Sequence, residues 1–142
     1  MNQHLHIITL GVQDLEISKK FYAETLGWSI ARPQEGIAFF QAGGVVLALF
    51  PREELAKDAL VDADGHGFAG ISLAHNAQSE ADVDEIIGDL RSKGVKIVKE
   101  PQKVFWGGYS SYFADPDGYL WEVAYNPFFT FDENGNLKLE QK

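Results

Sequence analysis

The sequence predicts an α+β fold in which two repeated βαβββ modules form curved mixed sheets around a concave pocket. The first observation behind this is that a strand, a helix and three more strands occur in the same order twice. The second is that residues 7–10 align with residues 70–73, and residues 44–48 align with residues 118–122. The third is length, because 142 residues suit one domain that buries roughly 70% of its unfolded surface. The prediction is one domain over residues 1–142, with modules at about 4–50 and 66–126 and a tail at 127–142.

The first module begins with an apolar, β-branched run from Leu5 to Val12, which predicts a buried strand. Asp14 offers an N-cap for the following helix, and Gly27 can end that helix. Turn-forming segments at residues 33–36 and 43–44 then separate short apolar runs. These runs predict an antiparallel meander of strands at Ser29 to Arg32, Ile37 to Gln41 and Val45 to Phe50.

A short charged helix from Pro51 to Leu60 is predicted to connect the modules. The second module then starts with a strand from Ala69 to Ala74. Its helix begins at Ser79, which forms a capping-box pattern with Asp82, and ends at Gly94. The remaining strands are predicted near Val95 to Lys99 and onward to Tyr125.

The C-terminal tail carries three phenylalanines, Phe128, Phe129 and Phe131, which are too apolar for a solvated tail. We expect them to dock against the body of the protein or a partner subunit. Residues 132–136 resemble a calcium loop in composition, but the glycine stands fourth and no glutamate stands twelfth. A turn is therefore predicted there.

Composition excludes several function classes. The formal charge is −9, with 12 basic and 21 acidic residues, so the chain repels phosphate backbones and anionic membrane surfaces. Neither nucleic acid nor a membrane is expected as a partner. The absence of cysteine excludes disulfides, thiolate nucleophiles and cysteine-ligated metal sites. With no signal peptide and no long apolar run in view, a cytoplasmic location is expected.

Three segments resemble the vicinal oxygen chelate superfamily, which includes glyoxalase I, extradiol dioxygenases, fosfomycin-resistance enzymes and bleomycin-binding proteins. They are residues 8–15, residues 21–28 and, most specifically, residues 113–123. The resemblance extends from Leu5 to Phe129 and implies the two-module fold. In the last segment, Asp-Pro-Asp-Gly forms a tight hairpin turn that delivers Glu122 to the concave face.

The resemblance also implies four metal-ligand positions, one on the first and one on the last strand of each module. These positions fall on Ile7, Ala48, Gly70 and Glu122. The first three have no side-chain donor atom, and one carboxylate rarely holds a divalent ion by itself. We therefore expect no cofactor, with a divalent metal disfavoured.

Glu122 is the candidate catalytic residue. By the period of two, it shares a face with Leu120 and Ala124, and that face should line the pocket. A desolvated carboxylate there suits a general base or a contact to a cationic ligand. The alternative is a structural relic satisfied by a buried hydrogen bond or an arginine partner. The predicted ligand-binding residues are Ile7, Thr9, Ala48, Gly70, Ser72, Trp106, Tyr109 and Tyr112.

The four histidines are weaker candidates. A shift of one residue would make His6 a ligand, but it would also turn the apolar side of its strand into the cavity. We expect His4 at the terminus and His75 beyond its strand to be solvated. His66 lies in a glycine-rich loop that could reach a pocket, although a plain loop residue is the simpler interpretation.

Three functional hypotheses follow. The first is a protein that binds a small organic molecule in a metal-independent pocket, for example by drug sequestration as in the bleomycin binders. The second is an enzyme, a lyase, isomerase or dioxygenase that uses Glu122 as base or metal ligand. The third is a purely structural dimer, which the small side chains at Ala48 and Gly70 argue against because they leave room in the cavity. Relatives of this fold often pair, so a homodimer is expected.

Overall fold

The computed structural model describes residues 1, 3 and 5–139. The first module is a four-stranded mixed sheet in which the first strand pairs parallel to the last and the other pairs are antiparallel. Its strands are β1 (Ile7–Val12), β2 (Ile30–Ala31), β3 (Ala38–Ala42) and β4 (Val45–Pro51). Their spatial order is β1, β4, β3, β2.

The second module repeats this plan. Its first strand again pairs parallel to its last, in the spatial order β5, β8, β7, β6. The strands are β5 (Ser72–Asn76), β6 (Lys96–Lys103), β7 (Tyr109–Ala114) and β8 (Leu120–Tyr125). The same strand order and pairing in both sheets confirm the predicted α+β fold with two βαβββ modules. The chain divides into two compact units, of which the first comprises residues 1–66 and 132–136 and the second comprises residues 67–131 and the segment from Leu137 onward.

Helix α1 (Leu15–Lys20) begins at the predicted N-cap, where the Asp14 side chain accepts from the backbone N–H groups of Glu16 and Ile17. Its last turn differs from the prediction, because Phe21–Thr25 is π-helical. Both aromatic side chains of this turn are buried, and the Tyr22 ring packs 5.8 Å from the ring of Phe40. Aromatic packing therefore accompanies the departure from regular helix.

Helix α3 (Glu80–Ser92) is predicted correctly at both ends. Ser79 Oγ accepts from the backbone N–H of Asp82, whose carboxylate accepts from that of Gln78. Gly94 has the positive φ that ends the helix. The buried face, Val83, Ile87 and Leu90, follows the helical period. Helix α2 (Arg52–Ala59) follows β4 directly.

Each sheet has its own apolar core. In the first module the fully buried side chains include Leu10, Val12, Phe40 and Leu49. In the second module, the buried rings of Phe113 and Trp121 are stacked, with their centroids 6.0 Å apart and an interplanar angle of 3°. No helix of the described chain is long and apolar enough to cross a membrane.

One strand differs from the prediction in a way that affects the site. The predicted strand from Ala69 to Ala74 is wrong by two to three residues, since β5 is Ser72–Asn76. Gly70 precedes β5 with a φ of 76°, which is incompatible with extended backbone. His75 was predicted to lie beyond this strand, but it lies within β5. Its side chain is exposed, as expected.

The C-terminal segment forms a small hairpin of β9 (Thr130–Phe131) and β10 (Leu137–Lys138). Its turn is closed by Asp132 Oδ1, which accepts from the backbone N–H groups of Asn134 and Asn136. The predicted turn is confirmed, and hydrogen bonds within the turn occupy this carboxylate.

Candidate functional site

Glu122 lies in the middle of β8, flanked by a strand on each side. In the register of the sheet, it stands opposite Tyr112 on β7 and Ala74 on β5. Its neighbours Trp121 and Val123 are buried on the side of the sheet that packs against α3. Because side chains alternate along a strand, Glu122 belongs to the opposite side. We call that side the Glu122 face; it comprises Ser72, Ala74, Asn76, Ser110, Tyr112, Ala114, Leu120, Glu122 and Ala124.

A hairpin turn places Glu122 at this point. Asp115 Oδ1 accepts from the backbone N–H groups of Asp117 and Tyr119, each at 2.9 Å, and Gly118 has a φ of 85°. This turn sets the pairing of β7 with β8. The Asp-Pro-Asp-Gly motif therefore determines which β7 residues meet the carboxylate.

Two hydroxyl groups lie beside the Glu122 carboxylate. Ser110 Oγ donates to Glu122 Oε2 at 2.8 Å, and Ser110 is buried while Glu122 is half-buried. Tyr112 is directly opposite Glu122, where cross-strand side chains are in reach of each other. Burial, and then the charge of Glu122 and a hydrogen bond to it, raise the pKa of the Tyr112 phenol above its usual value. Tyr112 is therefore a neutral hydroxyl group at physiological pH.

The Glu122 carboxylate has no ion-pair partner within the described residues. The Nζ atom of Lys99 on β6 lies 6.0 Å from the centroid of the Tyr112 ring. This amine thus rests against the aromatic ring, and neutral hydroxyls supply the contacts to the carboxylate. An arginine partner, one part of the relic interpretation, is not found there, whereas a hydrogen bond is.

The first module presents a different surface on the corresponding side of its sheet. There Ala48 lies between Thr9 on β1 and Phe39 on β3. Ile7 is 51% exposed and Thr9 is exposed, while Ala48 is fully buried by its neighbours. This side of the sheet offers apolar contact and a hydroxyl group rather than a carboxylate.

The four positions implied by the resemblance do not fit a metal ion. Ile7 pairs with the residue two places before Ala48, and Ser72 pairs with the residue two places before Glu122. Ser72 is therefore the counterpart of Ile7 in the sheet register, and Gly70 lies outside the strand. One carboxylate and one aliphatic hydroxyl are a poor donor set for a divalent ion. Nowhere in the described chain do three His, Asp or Glu side chains gather to hold one.

Two predicted site residues lie apart from Glu122. Tyr109 is on the helix side of β7, where its hydroxyl donates to Asp84 Oδ1 of α3 at 2.7 Å. This hydrogen bond, with burial as the next cause, raises the pKa of the Tyr109 phenol. Trp106 lies in the turn between β6 and β7, and its indole covers Gly108 so closely that a Cβ there would lie 1.7 Å from the ring. A Cβ at Gly107 would make a tight contact with the Phe128 ring, at 3.3 Å, so both glycines after Trp106 lie beside aromatic rings of the chain itself.

Ser110 and Lys99 are the members of this cluster that sequence analysis missed. The period of two on β7 was a sufficient signal for Ser110, because it shares a parity with Tyr112. Lys99 was harder to find, since β6 contains register shifts on both sides of it.

No histidine of the described residues belongs to a cluster of side chains that could hold a metal ion. His75 pairs with Val123 and so falls on the helix side by parity, although it is exposed. His6 lies just before β1, and its backbone carbonyl accepts a hydrogen bond from the backbone N–H of Val46. His66 is exposed in its loop, and the expectation for His4 lies outside the described residues.

Comparison with known proteins adds independent information. Residues 4–123 match the family described as the Glyoxalase/Bleomycin resistance protein/Dioxygenase superfamily. A glyoxalase-related enzyme of Fulvimarina pelagi with a solved structure is 33% identical to this chain and superposes on it with a TM-score of 0.88. The match covers 99% of this chain and 100% of that enzyme's chain.

Two curated relatives carry different activities in their names. A lactoylglutathione lyase of Arabidopsis thaliana is 28% identical over 124 residues, which is 84% of this chain but 42% of that protein. This chain therefore spans less than half the length of the plant relative. A metallothiol transferase of Staphylococcus saprophyticus is 26% identical over 123 residues, 87% of this chain and 77% of that protein.

Proposed function

The chain belongs to the glyoxalase/bleomycin resistance protein/dioxygenase superfamily, and from that premise we propose that it binds a small organic molecule without a metal ion. The observation that carries the proposal is the donor set at the family's ligand positions. Ile7 and Ala48 contribute no side-chain donor, Ser72 in the position predicted for Gly70 contributes only an aliphatic hydroxyl, and Glu122 contributes the one carboxylate.

The Glu122 face provides what an organic ligand requires. Small-molecule sites combine apolar walls with a few fixed polar groups. Here Ala74 and Leu120 are apolar neighbours of the carboxylate in the register, while Ser110 and Tyr112 supply hydroxyl groups. The part-buried hydrogen bond from Ser110 favours one orientation of the carboxylate.

Metal analysis of the full chain tests the proposal. Protein purified without a histidine tag should contain far less than one equivalent of metal. Titration with nickel, zinc, manganese and ferrous iron should leave its melting temperature unchanged, because an ion that binds only the folded state would raise it. Near-stoichiometric metal, or saturable stabilisation by one of these ions, would overturn the proposal.

An enzymatic function is the second candidate, favoured by the names of the relatives and by the hydrogen-bonded carboxylate. In that case Glu122 is a general base, and the chain is a lyase, isomerase or dioxygenase of the superfamily. Glu122→Gln should then abolish turnover while the fold persists. Glu85→Gln on α3 is the matched control, since it makes the same charge change at an exposed position on the other side of the sheet.

We also propose that the protein forms a homodimer. Phe105 is fully exposed and Phe128 is 77% exposed, and both lie in the second compact unit. Aromatic residues are enriched at protein–protein interfaces relative to the rest of the surface. Sedimentation equilibrium should give twice the chain mass, and Phe105→Ser with Phe128→Ser should shift it toward the monomer. A wild-type monomer at high micromolar concentration would contradict this.

A further inference from the structure

We infer that the Glu122 face binds its ligand through a protonated amine attached to an apolar body, with Glu122 as the counter-charge. This inference rests on the proposed function and names the chemical class of the ligand. It depends on the charge of the carboxylate, on its apolar neighbours and on the position of Lys99.

The first step concerns charge. A half-buried carboxylate is costly unless opposite charge or hydrogen bonds compensate it. Glu122 receives a hydrogen bond from the neutral Ser110 hydroxyl, stands opposite Tyr112 in the register, and belongs to none of the ion pairs of the described chain. A carboxylate has about four lone-pair sites, so these neutral neighbours leave acceptor capacity for a ligand.

The second step excludes Lys99, the amine that pairs with Tyr112 in the sheet, as the counter-charge of Glu122. Lys99 is exposed, and its Nζ atom lies over the Tyr112 ring. Its strand neighbour is Tyr112 rather than Glu122. The positive charge is thus directed to the ring, and the negative charge of Glu122 remains available to an incoming cation.

The third step concerns shape and polarity. Ala74 stands beside Glu122 on β5, and Leu120 and Ala124 stand two residues before and after it on β8. Small and apolar side chains therefore surround the carboxylate along two strands. A ligand that pairs with Glu122 places the atoms next to its amine against hydrocarbon, which selects an apolar body over a sugar or a phosphate.

Three matched probes test the inference on the full chain: 2-phenylethylamine, neutral 2-phenylethanol and anionic 3-phenylpropanoate. Each is titrated to about 10 mM at pH 7 and low salt, close to the weakest affinity that direct titration resolves. Backbone amide NMR shifts of β5, β7 and β8 report binding. We expect the amine to bind at least about tenfold tighter than the alcohol, the carboxylate to bind least, and salt to weaken the amine selectively.

Variants separate local pairing from overall charge. Glu122→Gln should remove the preference for the amine, whereas Glu85→Gln, with the same change in net charge, should keep it. Lys99→Gln should leave amine binding unchanged or tighten it by up to about threefold, because a nearby like charge is removed. If circular dichroism shows that Glu122→Gln does not fold, two other measurements test the inference: the effect of salt on amine binding to the wild type, and amine binding to Lys99→Gln. Amine binding that does not respond to salt, or that weakens in Lys99→Gln, would then contradict the inference.

The outcomes distinguish this inference from the proposed function. Equal binding of amine and alcohol at these amides, or loss of the preference in Glu85→Gln, would overturn the inference and leave metal-free ligand binding intact. Absence of amine binding over the whole range would also overturn it. Near-stoichiometric metal in the purified protein would overturn the proposed function itself.

Discussion

Ser110 and Glu122 are joined across neighbouring strands by a 2.8 Å hydrogen bond from Ser110 Oγ to Glu122 Oε2. The two residues are diagonal neighbours in the antiparallel ladder, since Glu122 is directly opposite Tyr112 and Ser110 is opposite Ala124. Ser110 is 2% exposed, so water does not compete at the donor. A hydrogen bond from a buried donor therefore restrains the orientation of the half-buried carboxylate.

This relationship predicts that Ser110→Ala weakens ligand binding about three- to tenfold, because the carboxylate loses its fixed orientation. Stability should fall by about 1 kcal/mol with the lost hydrogen bond. Ser111→Ala is the control, since Ser111 Oγ donates to the carbonyl oxygen of Val123 at 2.7 Å and is fully buried. It should cost similar stability in urea unfolding but leave ligand affinity unchanged. Equal loss of affinity in both variants would show that the effect is general destabilisation.

The ionisation of Tyr112 provides a test of the same cluster. The charge of Glu122 raises the pKa of Tyr112 in addition to burial, so Glu122→Gln should lower that pKa while burial keeps it above the usual value. Because folding raises this pKa, the contribution of Tyr112 to stability is complete below about pH 10 and is lost as pH rises through the folded-state pKa. The pKa of Tyr112 is measured by an NMR pH titration of protein in which the tyrosine ring carbons are isotopically labelled.

Tyr109 is the internal reference for this titration. Its pKa is raised chiefly by the hydrogen bond to Asp84 on the helix side, so Glu122→Gln should leave it unchanged and Asp84→Asn should lower it. A Tyr112 pKa that does not respond to Glu122→Gln would mean that the two side chains do not interact in solution.

Gly108 should tolerate no side chain. A Cβ at this position would lie 1.7 Å from the Trp106 indole, so Gly108→Ala must displace the ring. We expect a loss of about 1–3 kcal/mol, typical of overpacking, and a shifted indole N–H resonance of Trp106. Gly44→Ala is the matched control, because a Cβ added there meets no heavy atom within 4 Å beyond its chain neighbours. An unchanged Trp106 resonance in Gly108→Ala would contradict the packing described.

Gly88 should be a site of easy stabilisation. It is exposed within α3, and a Cβ added there meets nothing within 4 Å beyond the adjacent backbone of its own helix. Gly88→Ala should raise the free energy of unfolding by about 0.5–1 kcal/mol, because alanine loses less backbone entropy in a helix. Gly94→Ala, at a φ of 79°, should instead destabilise the protein. Thermal and urea unfolding measure both, and a destabilised Gly88→Ala variant would contradict the helix assignment.

Several parts of the fold could be predicted because their signals are local. The second module's helix begins after Ser79 and ends before Gly94, as predicted. These limits could be predicted because capping and left-handed termination depend on a few adjacent residues. The start of β5 was missed because Gly70 is compatible with both strand and turn until its backbone angle is known. The π-helical turn at Phe21–Thr25 was missed for a related reason, as it accompanies long-range aromatic packing.

The sequence by itself determined the two-module plan, the assignment of Ile7, Ala48 and Glu122 to the family's ligand positions, and the parity that places Glu122 on the side opposite to Trp121 and Val123. These follow from periodicity, turn chemistry and side-chain donors, all of which are properties of short segments. Only the tertiary structure decided that the Ser110 hydroxyl donates to Glu122 and that the Tyr109 hydroxyl donates to Asp84. Strand register and helix packing bring together residues distant in the chain, and their pairing depends on the energy of the whole fold.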